Sequence, residues 1–296
     1  MAMSGQRAGR LEVMTVQVRG REVRYLRGEV GRGGGPTLLF MHGWALSHDS
    51  YRAALQEAWR SGLGVLAPAL PGFGGTSELA DGARSLAGYA SWVSDFLEAV
   101  GQTEPVIVVG HSFGGGVAIR VAHDAPKRVA GLILVNSIGG SAWTDRNGVL
   151  RALVERPLWD WGLHLGADVF PLRQLHRVVP VVLRDALSNA ARDPLAVWRV
   201  ANLARSADLR PELEELKRRR LPVVILWGNQ DRVLPQSSLA ALRIALGEAT
   251  VETIEGDHGW LIRDPGTFGE IITNVLAADV RFSAPTEPFD PLTEVA

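Results

Sequence analysis

The sequence predicts an α/β fold, a doubly wound and mostly parallel sheet with helices on both faces. Three observations predict it. Short continuous apolar runs alternate with longer amphipathic stretches, the pattern of strands buried on both faces and of the helices that connect them. A length of 296 residues suits one large core carrying an insertion as well as it suits two domains. An apolar fraction of 46% and a charged fraction of 21% belong to a folded chain and exclude disorder.

The elements follow in order. Residues 13–18 and 22–26 alternate apolar and polar side chains around Arg19-Gly20-Arg21 and predict an antiparallel hairpin on the sheet edge. Residues 37–41, 65–70, 106–109, 132–135 and 223–227 are short runs rich in Val, Ile and Leu, which predict buried strands. Residues 250–254 predict the last strand. Helical spacing occupies 86–100, 116–122 and 239–246. From about 139 to 207 no strand-like run occurs. Helical segments there are interrupted by Pro157, Pro171, Pro180 and Pro194. The same stretch holds Trp143, Trp159, Trp161 and Trp198 out of nine tryptophans. It reads as a helical insertion over one end of the sheet. Any one of these tryptophans would pack the insertion onto the core, and as a group they would line an apolar pocket. The tail from Phe282, with Pro285, Pro288 and Pro291, is expected to be mobile, as are residues 1–10.

Composition removes several functions. Basic and acidic residues number 31 and 32, a formal charge of −1, so no nucleic-acid partner is expected. The chain has no cysteine, which excludes disulfides, cysteine-ligated zinc, iron–sulfur clusters and thiol catalysis. No apolar run approaches the roughly 18 residues of a membrane span. Residues 1–10 lack the apolar core of a secretory signal, so the cytoplasm is the expected location. The glycine-rich 31–35 stretch lacks a Gly-Lys-Ser/Thr ending and precedes a strand, which sets nucleotide binding aside. Lys217-Arg218-Arg219-Arg220 ends a predicted helix, where cations complement the dipole.

The strongest chemical signal is Gly110-His111-Ser112-Phe113-Gly114, placed between a predicted strand and a predicted helix. Gly-x-Ser-x-Gly in that context is a nucleophile elbow. The turn is tight, and glycine at 110 and 114 removes the Cβ atoms that would clash. The serine then sits at a helix N-terminus, where N–H groups favour negative charge. A serine hydroxyl needs a base. His258, in Gly256-Asp257-His258-Gly259-Trp260, follows the last predicted strand, where sites form in open α/β sheets. His42, His48, His111, His123, His164 and His176 read better as structural histidines. The base needs a carboxylate to fix its tautomer. Asp231 follows the 223–227 strand and completes the order Ser, Asp, His. Asp257 adjoins His258 but reads as a turn former. Phe40-Met41-His42-Gly43-Trp44 ends a strand with His-Gly. It should bring the Trp44 N–H near the elbow, with the Phe113 N–H as second donor. Each such donor contributes roughly 10²–10³ in rate.

These motifs resemble the α/β-hydrolase superfamily, in the branch with His-Gly oxyanion loops and a helical cap. The resemblance covers about residues 11–281. It includes Pro71-Gly72-Phe73-Gly74-Gly75-Thr76-Ser77 and, after His258, Asp264-Pro265. It implies an eight-stranded sheet, a core of 11–138 with 206–281, and a cap of 139–205. It also implies Ser112 as nucleophile, His258 as base, Asp231 as its orienting acid, and Trp44 and Phe113 as oxyanion donors. Some relatives place the acid after the sixth strand; Asn136 stands there and cannot carry the charge. Epoxide hydrolases and dehalogenases carry aspartate at the elbow, where this chain has Ser112. The cap tyrosines of epoxide hydrolases have no counterpart, because Tyr25, Tyr51 and Tyr89 all lie outside the insertion. Trp44-Ala45 replaces the further glycines of other esterase and carbon–carbon hydrolase branches.

The expected activity is therefore a serine hydrolase acting on small to medium apolar carboxylic esters, with no metal or organic cofactor and a small ester-like molecule as partner. Perhydrolase or haloperoxidase, lactonase and thioesterase chemistry on the same residues are alternatives, and a ligand sensor on the same scaffold is a more distant one. Leu46, Phe73, Trp143 and Trp260 are the expected pocket walls.

Overall fold

A computed structural model describes residues 9–31, 34–140, 175–247, 249–278 and 282. Eight strands form one sheet: β1 Glu12–Val18, β2 Arg21–Gly28, β3 Thr37–Met41, β4 Gly64–Pro68, β5 Val106–His111, β6 Val129–Val135, β7 Val223–Gly228 and β8 Thr250–Ile254. Their spatial order is β1-β2-β4-β3-β5-β6-β7-β8. The first two pairings are antiparallel and the rest parallel. The β1–β2 hairpin turns at Arg19 and Gly20, both with positive φ, the turn whose twist suits paired strands.

Nine α-helices are present among the described residues: α1 Arg52–Arg60, α2 Leu86–Ala99, α3 Phe113–Asp124, α4 Leu175–Arg192, α5 Pro194–Arg205, α6 Arg210–Arg218, α7 Gln236–Leu246, α8 Trp260–Arg263 and α9 Pro265–Ala278. The continuous apolar runs have a simple cause. Alternate side chains of each central strand enter opposite layers. Val106 and Val108 of β5 join the layer filled by α2, α3, α6 and α7. Ile107 and Val109 join the layer filled by α1, α8 and α9. Both faces are covered, so neither tolerates a polar side chain.

The observed ends differ from the runs for local reasons. Strand β4 stops at Pro68, which has no N–H to donate. The next apolar residues leave the sheet, and the Leu70 N–H bonds to His42 Nε2 at 2.9 Å. Strand β6 begins at Val129, three residues before the apolar run, because Val129 and Gly131 pair with β5 across a register shift at Ala130, and Ala130 and Gly131 carry little hydrophobic signal. Helix α3 begins at Phe113 rather than 116, since the intervening glycines carry no apolar periodicity.

Gly140 bridges Asp208, and the Leu209 N–H reaches the Gly139 carbonyl at 3.2 Å. The segment between therefore leaves and rejoins the core side by side. Its residues 141–174, with Trp143, Trp159, Trp161, Pro157, Pro171 and His164, lie outside the described residues. Trp198, on α5, is 59% exposed and is not among the residues that line the cavity at Ser112. The tail boundary set at Phe282 needs correction. Phe282 is 5% exposed, with its ring against Gly131, because the missing glycine side chain leaves room for it. The rest of that tail and residues 1–8 lie outside the described residues.

Candidate active site

Ser112 stands between β5 and α3 with φ 54° and ψ −119°, a conformation that L-residues rarely adopt. The turn that holds it is closed by backbone: the Ser112 N–H bonds to Val135 O at 3.1 Å, and the Gly115 N–H to Ser112 O at 3.0 Å. The glycines are sterically required. A Cβ on Gly110 would lie 2.5 Å from Gly114 O, and one on Gly114 would lie 2.2 Å from Met41 O. The serine is 9% exposed.

His258 follows β8 and is 2% exposed. Its Nδ1 lies 2.9 Å from Asp231 Oδ2, in the loop after β7. A carboxylate only accepts, so Nδ1 carries a proton, and it is Nε2 that holds the lone pair when the ring is neutral. Asp231 is locked in turn. Its Oδ1 accepts the Val233 and Leu234 N–H groups at 2.8 and 2.9 Å. Its Oδ2 also accepts the Asn136 amide at 2.6 Å. Burial pushes this carboxyl upward, but His258 alongside and the hydrogen bonds it accepts outweigh burial and hold it below the usual carboxylate range. Asp257 is turned elsewhere. It caps the Gly259 N–H at 3.0 Å and pairs with Arg263.

Two residues that sequence reasoning treated as background tie the loops together. His111 Nε2 donates to the His258 carbonyl at 2.8 Å, and its Nδ1 accepts the Tyr51 hydroxyl at 2.8 Å. That hydroxyl accepts the Gly43 N–H at 3.1 Å. The donor order requires a neutral ring, and burial pushes the imidazole down to about 3. His42 is likewise buried, neutral and pushed down to about 4 by desolvation. It joins Leu70 N–H to the Gly43 carbonyl, the latter at 2.9 Å. His48 departs from the expectation of a satisfied structural histidine. Both of its ring nitrogens are buried with no hydrogen-bond partner among the described residues.

Ser112, His258, Trp44 and Phe113 all line one cavity. Among the described residues no hydrogen bond joins the Ser112 hydroxyl to His258; such contacts often tighten only around substrate. The Gly43 N–H is taken by Tyr51, and Trp44 and Phe113 both line this space. Leu46 lines the cavity as expected, and Ile138, Ala204, Val233 and Leu234 join it. Phe73 and Trp260 do not, which corrects the expected walls. Phe73 is buried edge-on to the His42 ring, with centroids 5.7 Å apart. Trp260 is buried in the α8–α9 layer and donates its indole N–H to Asn136 Oδ1 at 2.9 Å. Trp143 lies outside the described residues. Nearness to a motif in sequence does not determine which way a side chain leaves a turn. No Lys, Arg, Asp or Glu lines the cavity among the described residues. Nor do three His, Asp or Glu side chains converge there as a metal ion would need. No described helix is long and apolar enough to cross a membrane.

Residues 38–270 match the alpha/beta hydrolase family. The chain belongs to that family. It is 29% identical over 287 residues to an uncharacterised protein of Mycobacterium tuberculosis, covering 86% of this chain and 77% of the relative. It is 27% identical over 213 residues to the pimeloyl-[acyl-carrier protein] methyl ester esterase of Nitrosomonas europaea, covering 69% of this chain and 80% of the relative. Among solved structures it is similar to a bacterial membrane phospholipase A described as a virulence factor, at 26% identity and a TM-score of 0.70, covering 90% of this chain and 86% of that one.

Proposed function

We propose that this protein hydrolyses carboxylic esters of small to medium apolar molecules through an acyl-enzyme on Ser112. The observation that carries the reading is His258, bonded to Asp231 behind it, lining one cavity with a strained serine at a helix N-terminus. An esterase among the relatives supports it.

The steps follow from the groups. His258 Nε2 takes the Ser112 proton as Oγ attacks the ester carbonyl. Charge grows on the carbonyl oxygen, and the Trp44 and Phe113 N–H groups stabilise it. Asp231 offsets the positive imidazole. His258 then gives its proton to the leaving alcohol, and an acyl–Oγ bond remains. Water attacks that acyl group, its proton passes to His258 and on to Oγ, and the carboxylic acid departs. Leu46, Ile138, Val233 and Leu234 offer only apolar contact to the substrate. Residues 139–205 are proposed to form a cap over this end of the sheet.

A fluorophosphonate probe should label the wild type and fail to label Ser112→Ala. Labelling that persists in the variant would remove Ser112 as nucleophile. His258→Ala should lower kcat/KM for p-nitrophenyl butyrate by three or more orders of magnitude, roughly the loss seen when a triad base is removed.

A further inference from the structure

Helix α4 grips the loop that carries Trp44. Asp185 and Asn189 are four residues apart, so they share one face of α4. Asp185 Oδ2 accepts the Ser47 N–H at 2.7 Å and the Ser50 hydroxyl at 2.8 Å. The Ser47 hydroxyl is shared between the two carboxylate oxygens, at 3.0 and 2.8 Å. Asn189 is buried and uses both ends of its amide. Its Nδ2 donates to the Ala45 carbonyl at 2.9 Å, and its Oδ1 accepts the Gly74 N–H at 2.9 Å. Helix α5 adds a third hold, since Val197 O accepts the Trp44 indole N–H at 2.7 Å.

What these bonds hold is informative. Ala45 has φ 60°, a left-handed conformation that an alanine adopts only when its surroundings impose it. At the other end of the same short loop, Gly43 crowds the nucleophile. A Cβ there would lie 3.5 Å from Ser112 Cβ and 2.9 Å from the Tyr51 hydroxyl. The peptide N–H of Trp44 sits between these two points. Its direction depends on the backbone at Gly43 and Ala45, and Ala45 is set by a side chain from outside the sheet.

We infer that Asp185 and Asn189 are positioning residues that orient the Trp44 N–H toward the carbonyl oxygen of the substrate. The inference rests on the ester-hydrolase reading above. It makes the loop competent only while α4 is docked, and it couples the inserted segment to the acyl-transfer step. A hydrogen bond aimed at developing charge acts in the transition state more than in the substrate complex, so misorienting it lowers kcat and leaves KM nearly unchanged.

The test compares wild type, Asn189→Leu and Ser50→Ala in p-nitrophenyl butyrate hydrolysis, with melting temperature as the check on folding. Asn189→Leu should lower kcat about 10- to 100-fold with KM within about threefold. Ser50→Ala removes one bond to Asp185 and should give the same split at a few-fold loss; it decides the matter if Asn189→Leu does not fold. Wild-type kcat in the folded variants, or a rise in KM with kcat intact, overturns the inference. An absence of Ser112-dependent turnover in the wild type overturns the ester-hydrolase reading itself, a separate outcome.

Discussion

Asn136 illustrates how much a single side chain contributes at this site. It stands after β6 with φ 41° and makes three bonds at once. Its amide donates to Asp231, and its carbonyl accepts the Gly228 N–H at 3.2 Å and the Trp260 indole. It thereby joins the ends of β6, β7 and the His258 loop. Asn136→Ala should leave two buried donors unpaired and cost about 2–4 kcal/mol, read as a lower urea midpoint at unchanged m-value. The same variant removes one donor that holds the Asp231 carboxyl down, so that carboxyl should titrate at higher pH. An unchanged midpoint would mean that water replaces the amide. Its sequence neighbourhood marked position 136 only as a place where an acid was missing. Its bonding role required knowing that three strand ends meet there.

At the scale of elements, boundaries follow hydrogen bonding and capping, whereas the apolar runs follow burial. Helix α5 shows the difference. Pro194 opens it, and Asp193 accepts the Ala196 N–H at 2.9 Å as N-cap. Asp193→Ala should cost about 1 kcal/mol and lower the melting temperature by a few degrees. Because α5 also presents the Val197 carbonyl to Trp44, fraying of its first turn should be accompanied by reduced kcat. A melting shift without any kinetic change would separate α5 from the loop. The elbow admits no such graded response. Gly114→Ala would drive a methyl into the Met41 and His42 carbonyls, and the expected result is a chain that fails to accumulate in folded form.

Across the whole molecule, three buried histidines set an acid limit on stability. His42 and His48 are pushed down to about 4 and His111 to about 3, burial being the largest cause in each. Unfolding returns them to about 6.5. Between those values the unfolded chain binds more protons than the folded one, so folding stability falls as pH falls through this window. The slope approaches about 1.4 kcal/mol per pH unit for each histidine, on the order of 4 kcal/mol for three. Urea midpoints measured from pH 7 to pH 4.5 should drop steeply, and His48→Gln should flatten the curve. A midpoint independent of pH across that range would mean these rings are solvated. His48 is the sharpest case, being sealed without a hydrogen-bond partner among the described residues.

The succession of strands along the chain and the two-sided core were legible in the sequence because burial on both faces demands unbroken apolar runs, and those runs survive without knowing their neighbours. The elbow at Ser112 was legible for a related reason: its turn excludes every residue but glycine at 110 and 114, so geometry is written into composition. The pairing of Asp231 with His258 was readable only as chain order; the distance of 2.9 Å depends on how β7 and β8 lie side by side. The tertiary structure alone decided which neighbours reach the cavity, turning Phe73 and Trp260 into the core and bringing Val233 and Leu234 to the wall. It alone joined Asp185 and Asn189 to a loop about 140 residues earlier in the chain. Patterns of burial and backbone strain are local and leave a mark on each residue, whereas a contact between distant segments is a property of two places at once and marks neither.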